Sequence, residues 1–304
     1  MSMWQQLLTD IRNSDYKALA RSISLVENEV PGYLDFLASL TPGKASITGI
    51  TGPPGAGKST LTDALIGEWT AKGKKVGVLC IDPSSPFHLG ALLGDRIRMS
   101  NWYTDPKVYI RSLATRGSLG GLHPHILEIS SLMQAAGFDE IIIETVGVGQ
   151  SEIEIAGLAD TTLVVVVPEA GDEVQTMKAG LMEIADIFVV NKSDRPDADQ
   201  FVRNLRSMLA PTFQQDNREV SVLKTVASAK EGIAELAEAI AQHQQLHRVS
   251  DRKYWLLAER AFRIIQERRM KDIPKSELLA QLVTAAKEPD FNLFSFINRY
   301  QSEK

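Results

Sequence analysis

The octapeptide GPPGAGKS at 52–59 constrains this chain more than any other stretch. It follows the apolar run ASITGIT (45–51) and opens a helical pattern over 58–71. In that strand–loop–helix setting, G-x-x-x-x-G-K-S is a phosphate cradle. Gly52, Gly55 and Gly57 permit a tight loop whose successive N–H groups face inward. The helix start adds its unpaired N–H groups and the positive end of its dipole. Gly52, Pro53, Pro54, Gly55, Ala56, Gly57, Lys58, Ser59 and Thr60 therefore form the expected phosphate-binding segment. Lys58 reaches toward the β- and γ-phosphates, and the Ser59 hydroxyl offers a ligand to Mg²⁺. Thr60 is expected on the helix surface or in nucleotide contact, not as an independent catalyst.

The surrounding pattern is α/β. Candidate strands are 45–51, 75–82, 108–113, 139–145, 161–168, 186–191 and 219–226. Several are apolar on consecutive residues, as parallel strands are when helices cover both faces of the sheet. Helical patterns fill the intervals at 58–71, 122–136, 173–182, 198–209 and 231–245, so the expected core is a mostly parallel sheet with crossover helices. Residues 3–40 also look helical, with Trp4, Leu7, Leu8 and Ile11 at helical spacing, then Leu19 and Ile23, and Pro31-Gly32 as punctuation. Three further helical candidates, 250–269, 275–286 and 290–301, follow the last strand. The expected organisation is a helical segment 1–44, an α/β domain 45–245 and a helical region 246–304.

Composition limits the alternatives. With 44% hydrophobic and 23% charged residues, the chain reads as an ordinary globular protein, not a disordered or collagenous one. Its single cysteine, Cys80, sits in an apolar strand and is expected to be a buried structural thiol. The start MSMWQQLLTD shows no secretory pattern and no run is long enough to span a bilayer, so a cytoplasmic location is expected. Residues 246–304 carry 12 Lys and Arg against 8 Asp and Glu, whereas the rest is acidic. The mixed signs point to solvated helix faces, and no nucleic-acid or membrane partner is expected. His123-Pro-His125 lacks zinc spacing and reads as a helix-cap or surface element.

The base is read elsewhere. NKSD at 191–194 follows the strand DIFVVN, and a carboxylate at Asp194 can accept from both guanine N1–H and the exocyclic amine, which adenine cannot offer. Asn191 can contact the guanine edge, while the Lys192 stem can lie along the ring. Unpaired polar groups would penalise ATP. Ser228, Ala229 and Lys230, after the final strand, can support the base pocket through their backbone.

Acids at strand ends complete the expected Mg²⁺ surroundings, since this hard ion prefers oxygen ligands. Asp82 ends one strand and Glu144 nearly ends another. Both are expected to bind the ion directly or to stand just behind its ligands, and Asp95 in LGDRIRM joins them if its loop closes over the phosphates. TVGVGQSE (145–152) is a candidate switch: Gly147 can give its N–H to the γ-phosphate, and Gln150 is a candidate for orienting water. PEAGDEVQTMKAG (168–180), with Glu169, Asp172 and Lys178, is a candidate third loop or a helix cap.

Taken together, GPPGAGKST, IDPSSPF, LGDRIRM, ETVGVGQSE, PEAGDEVQTMKAG and NKSD resemble the MeaB/ArgK/MMAA family of P-loop GTPases over most of the chain. Members are metallochaperones or protective chaperones of adenosylcobalamin-dependent acyl-CoA mutases, chiefly methylmalonyl-CoA mutase. The resemblance implies Mg²⁺ and GTP or GDP as bound groups, with Ser59, Asp82, Asp95 and Glu144 around the metal. For hydrolysis the candidates are Lys58, Glu144, Gly147 and Gln150, and the resemblance implies that Asn191, Lys192 and Asp194 read guanine. It implies a homodimer through a C-terminal helical arm, a partner-responsive switch at 168–180, slow turnover until the partner stimulates it, and no cobalamin site of the chain's own. His88-Leu89-Gly90 departs from the small, glycine-rich segment common in the family, which implies a changed loop surface. A nickel- or cobalt-insertion GTPase is the competing reading. It would call for a His/Cys-rich metal-loading segment, which the first 44 residues do not contain.

Overall fold

The computed structural model describes residues 2–41, 43–82, 99–115, 122–147, 151–170, 179–216, 220–246, 251–270, 273, 275–288 and 290–302. The chain divides into two compact units, Met1–Lys253 and Tyr254–Lys304.

The first unit is built on seven parallel strands: β1 (Ser46–Thr51), β2 (Val76–Asp82), β3 (Val108–Ala114), β4 (Glu140–Glu144), β5 (Thr161–Val166), β6 (Ile187–Val190) and β7 (Ser221–Lys224). Their order is β3-β2-β4-β1-β5-β6-β7, so β1 lies in the middle of the sheet with β4 and β5 on either side. Each expected strand is present, trimmed by one or two residues at one or both ends, except β3, which ends one residue later than expected. β2, β4, β5 and β6 are buried at every position. Both faces are apolar because both are covered. Leu163 and Val165 join Leu61, Leu65, Trp69 and Leu236 on one face. Val164 and Val166 join Phe188, Phe201 and Leu205 on the other.

The covering helices are α4 (Lys58–Ala71), α5 (Ile126–Ala135), α6 (Ser151–Leu158), α7 (Ala179–Ile184), α8 (Ala198–Asp216) and α9 (Ile233–Gln245). Three more precede the sheet: α1 (Met3–Arg12), α2 (Tyr16–Glu27) and α3 (Tyr33–Ala38). A capping box starts α1, with Ser2 Oγ accepting from Gln5 N and Gln5 Oε1 accepting from Ser2 N. Trp4 stacks on Phe36 at 4.8 Å and donates Nε1 to the Pro31 carbonyl, which closes α3 back onto α1. The helix α6 has no counterpart among the expected elements, which treated 145–152 as loop.

Beyond the first unit lie the remainder of α10 (Asp251–Arg269), α11 (Lys275–Ala285) and α12 (Leu293–Ser302). This second unit carries large exposed apolar side chains, among them Trp255, Phe262, Leu279 and Phe294, the last 74% exposed. Among the described residues, no helix is long and apolar enough to cross a membrane.

Candidate functional site

The C-terminal ends of the parallel strands present the candidate residues at the edge where ligands bind in open α/β sheets. The loop 52–57 leaves β1 and enters α4 at Lys58. Gly57 sits at the helix N-cap with φ 89°, and a Cβ there would strike the Asn191 carboxamide. Only glycine tolerates both the left-handed backbone and that approach. Lys58 is buried and donates from Nζ to the carbonyls of Gly52 (2.8 Å) and Pro53 (3.1 Å). Gly147, with φ 86°, is packed so closely that a Cβ would meet both the Gly52 carbonyl and Lys58 Nζ. The segment leaving β4 therefore lies directly against the phosphate loop. Thr60 is exposed on the first turn of α4.

Glu144 closes the floor of the site. Its Oε1 accepts from Ser59 Oγ at 2.7 Å and its Oε2 from Thr62 Oγ1 at 2.8 Å. Asp82, also buried, ends the adjacent strand β2, where Cys80 stands opposite Glu144 in register. A serine hydroxyl and two buried carboxylates form a set of hard oxygen donors, and that chemistry fits Mg²⁺ rather than a soft metal. Asp95, Gln150 and His88-Leu89 lie outside the described residues, as does most of 168–180. Thr62 was missed at the sequence level, although its position three residues after Ser59 puts it on the same helix face.

The 191–194 loop is tied to the phosphate loop by two side chains. Asn191, buried at the end of β6, donates from Nδ2 to the Ala56 carbonyl at 2.9 Å, while its Oδ1 accepts from Thr225 Oγ1 (3.2 Å) and Ala227 N (3.1 Å). Lys192 adopts φ 56° and donates from Nζ to the Gly55 carbonyl at 2.8 Å. The carboxamide of Asn191 thus braces three segments, a role the sequence did not suggest. Asp194 is exposed, as are Ser228, Ala229 and Lys230 on the neighbouring turn. Arg195 pairs with Glu169, which links this loop to the turn after β5.

His125 is the N-cap residue of α5, one of the two roles expected for this element, though its side chain makes no capping bond; neither histidine is at the surface, and both are buried where α2 meets α5. The His125 N–H donates to His123 Nδ1, so the His123 ring carries its proton on Nε2, 3.4 Å from Glu27 Oε1. Arg111 of β3 donates to the other Glu27 oxygen at 2.8 Å. Burial pushes the Glu27 carboxyl up, but the hydrogen bonds from His123 and Arg111 outweigh it and hold the group at about 2. This cluster anchors the N-terminal helices to the sheet edge. Cys80 is buried in β2, as its apolar setting predicts.

A parallel sheet with a glycine loop at its central strand, a lysine in the cradle and an Asn-Lys-x-Asp loop braced against it defines a P-loop nucleotide hydrolase. The family described as methylmalonyl-CoA mutase-associated GTPase MeaB matches residues 19–287, and the chain belongs to it as a GTP-hydrolysing enzyme. A GTPase from Pyrococcus abyssi is 46% identical over 95% of this chain and 89% of its own length. The GTPase ArgK of Escherichia coli is 37% identical over 76% of this chain and 72% of its own. The crystal structure of a LAO/AO transport system kinase superposes with a TM-score of 0.66 and 25% identity, covering 99% of this chain and 98% of that one.

Proposed function

We propose that this GTPase is a chaperone of an adenosylcobalamin-dependent acyl-CoA mutase, with methylmalonyl-CoA mutase the first candidate, and that GTP hydrolysis gates cofactor loading or protection. The observation that carries this reading is the family match over residues 19–287, whose description names that mutase. In the proposed mechanism the backbone of 52–59 cradles the phosphates, Lys58 turns from its carbonyls to the β- and γ-oxygens, and Gly147 reports the γ-phosphate through its N–H. Bound Mg²⁺, held by Ser59 with Asp82, Glu144 and Asp95 nearby, would neutralise charge on the phosphates. Asn191, Lys192 and Asp194 would read guanine, supported by Ser228, Ala229 and Lys230, and Gln150 would orient water. The 168–180 segment would answer to the mutase, so Lys178→Ala should weaken stimulation while sparing GDP binding.

The exposed apolar side chains of the second unit support a homodimer built through that unit. The single buried cysteine suits a reducing cytoplasm. The test is a pulldown from native extract with GDP and with a nonhydrolysable GTP analogue, followed by turnover measurements with the captured mutase. Nucleotide-dependent recovery of a mutase and faster GTP turnover in its presence are expected. A mutase that neither binds nor stimulates in any nucleotide state would overturn the partner assignment.

A further inference from the structure

The fully buried Thr62 has a role that the phosphate-loop motif does not cover. Ser59 and Thr62 project from one face of α4 and donate to opposite oxygens of one carboxylate, Glu144, which is 3% exposed. A serine hydroxyl has one proton and two lone pairs. It presents a lone pair to a cation when its proton is drawn off by an acceptor on another side. Glu144 Oε1 is such an acceptor. The terminal torsion of a glutamate is soft, so bonds to both oxygens hold the carboxylate plane more firmly than a bond to one. Thr62 supplies the bond to the second oxygen, Oε2.

We infer that Thr62 is a positioning residue for Mg²⁺: by pinning Glu144 it fixes the Ser59 hydroxyl with a lone pair toward the ion. The inference rests on the reading of this site as one for Mg²⁺ and a guanine nucleotide. Removing a group that orients a metal ligand typically costs about 10–100-fold in metal affinity. Filling space in the core, by contrast, would matter equally with and without the metal.

The experiment is a Mg²⁺ titration of the full chain with GDP, followed by calorimetry, together with GDP affinity in EDTA. It compares the native protein with Thr62→Val, Thr62→Ala and Thr62→Ser. Val and Ala should raise the half-saturating Mg²⁺ concentration by about tenfold or more, and Ser should recover most of the loss. GDP affinity in EDTA should move by less than about threefold in all three. If Val fails to fold, Ala carries the same reading. Native Mg²⁺ dependence in Val and Ala, a Ser variant as weak as Val, or equal losses with and without Mg²⁺ would overturn the inference. GDP binding by the native protein that ignores Mg²⁺ would instead defeat the reading of the site itself.

Discussion

The carboxamide of Asn191 and the carbonyl of Ala56 are joined by a hydrogen bond of 2.9 Å between residues 135 positions apart. The 191–194 loop and the phosphate loop are therefore hydrogen-bonded together, and the same carboxamide also accepts from Thr225 and Ala227 after β7.

Asn191→Ala should lower affinity for GDP by at least about tenfold and reduce stability by about 1–3 kcal/mol, since three buried polar groups lose a partner. Calorimetric GDP titration and denaturant melts check both. Unchanged affinity would mean that the brace is dispensable for binding.

Asp194→Asn should behave differently. Asp194 is exposed, so its loss should leave the melting temperature nearly unchanged while eroding the preference for GDP over ADP. The measurement is the ratio of the two dissociation constants. Equal GDP and ADP affinity in the native protein would remove the basis for assigning guanine reading to this loop.

Lys58→Ala should lower GTP turnover by about a hundredfold or more, because the proposed phosphate site loses its buried lysine charge. Phosphate release from protein freed of other GTPases is the assay. Normal turnover would displace the phosphate site from this loop.

The Glu27 cluster makes a pH prediction. Its folded value of about 2 lies below the reference 4.5, so its contribution to stability is complete above 4.5 and disappears as pH falls toward 2. Thermal melts of the native protein and Glu27→Gln should differ most near neutral pH and converge in acid. A gap that stays constant through that window would show that the Glu27 charge is not what binds α2 to Arg111 and His123.

For the second unit, light scattering should give a mass near twice 33.5 kDa, and Phe294→Asp should reduce it toward a single chain. A native monomer across micromolar concentrations would reject a constitutive dimer.

Much of this was readable along the chain. Strands buried on both faces announce themselves as unbroken apolar runs, and β4 and β5 fall within one or two residues of their expected ends. The phosphate loop was legible because its glycines and lysine are adjacent and local. The helix α6 was not, since SEIEIAGL is packed against β1 and β5 and lacks the one-sided apolar stripe that marks a surface helix. The burial of the two histidines was not legible because the carboxylates they meet are distant in sequence: Glu27, 96 residues from His123, and Glu29, which faces His125, come near only when α2 packs on α5.

The amino-acid sequence by itself determined the element order, the parallel sheet and the chemistry of the phosphate loop, because these depend on local periodicity and on residue types within a few positions. Only the tertiary structure decided that Glu144 is shared by Ser59 and Thr62, that Asn191 is a brace, and that Gly147 lies on Lys58. These relationships join the ends of separate strands. Their geometry is set by strand order and register, which no local pattern encodes.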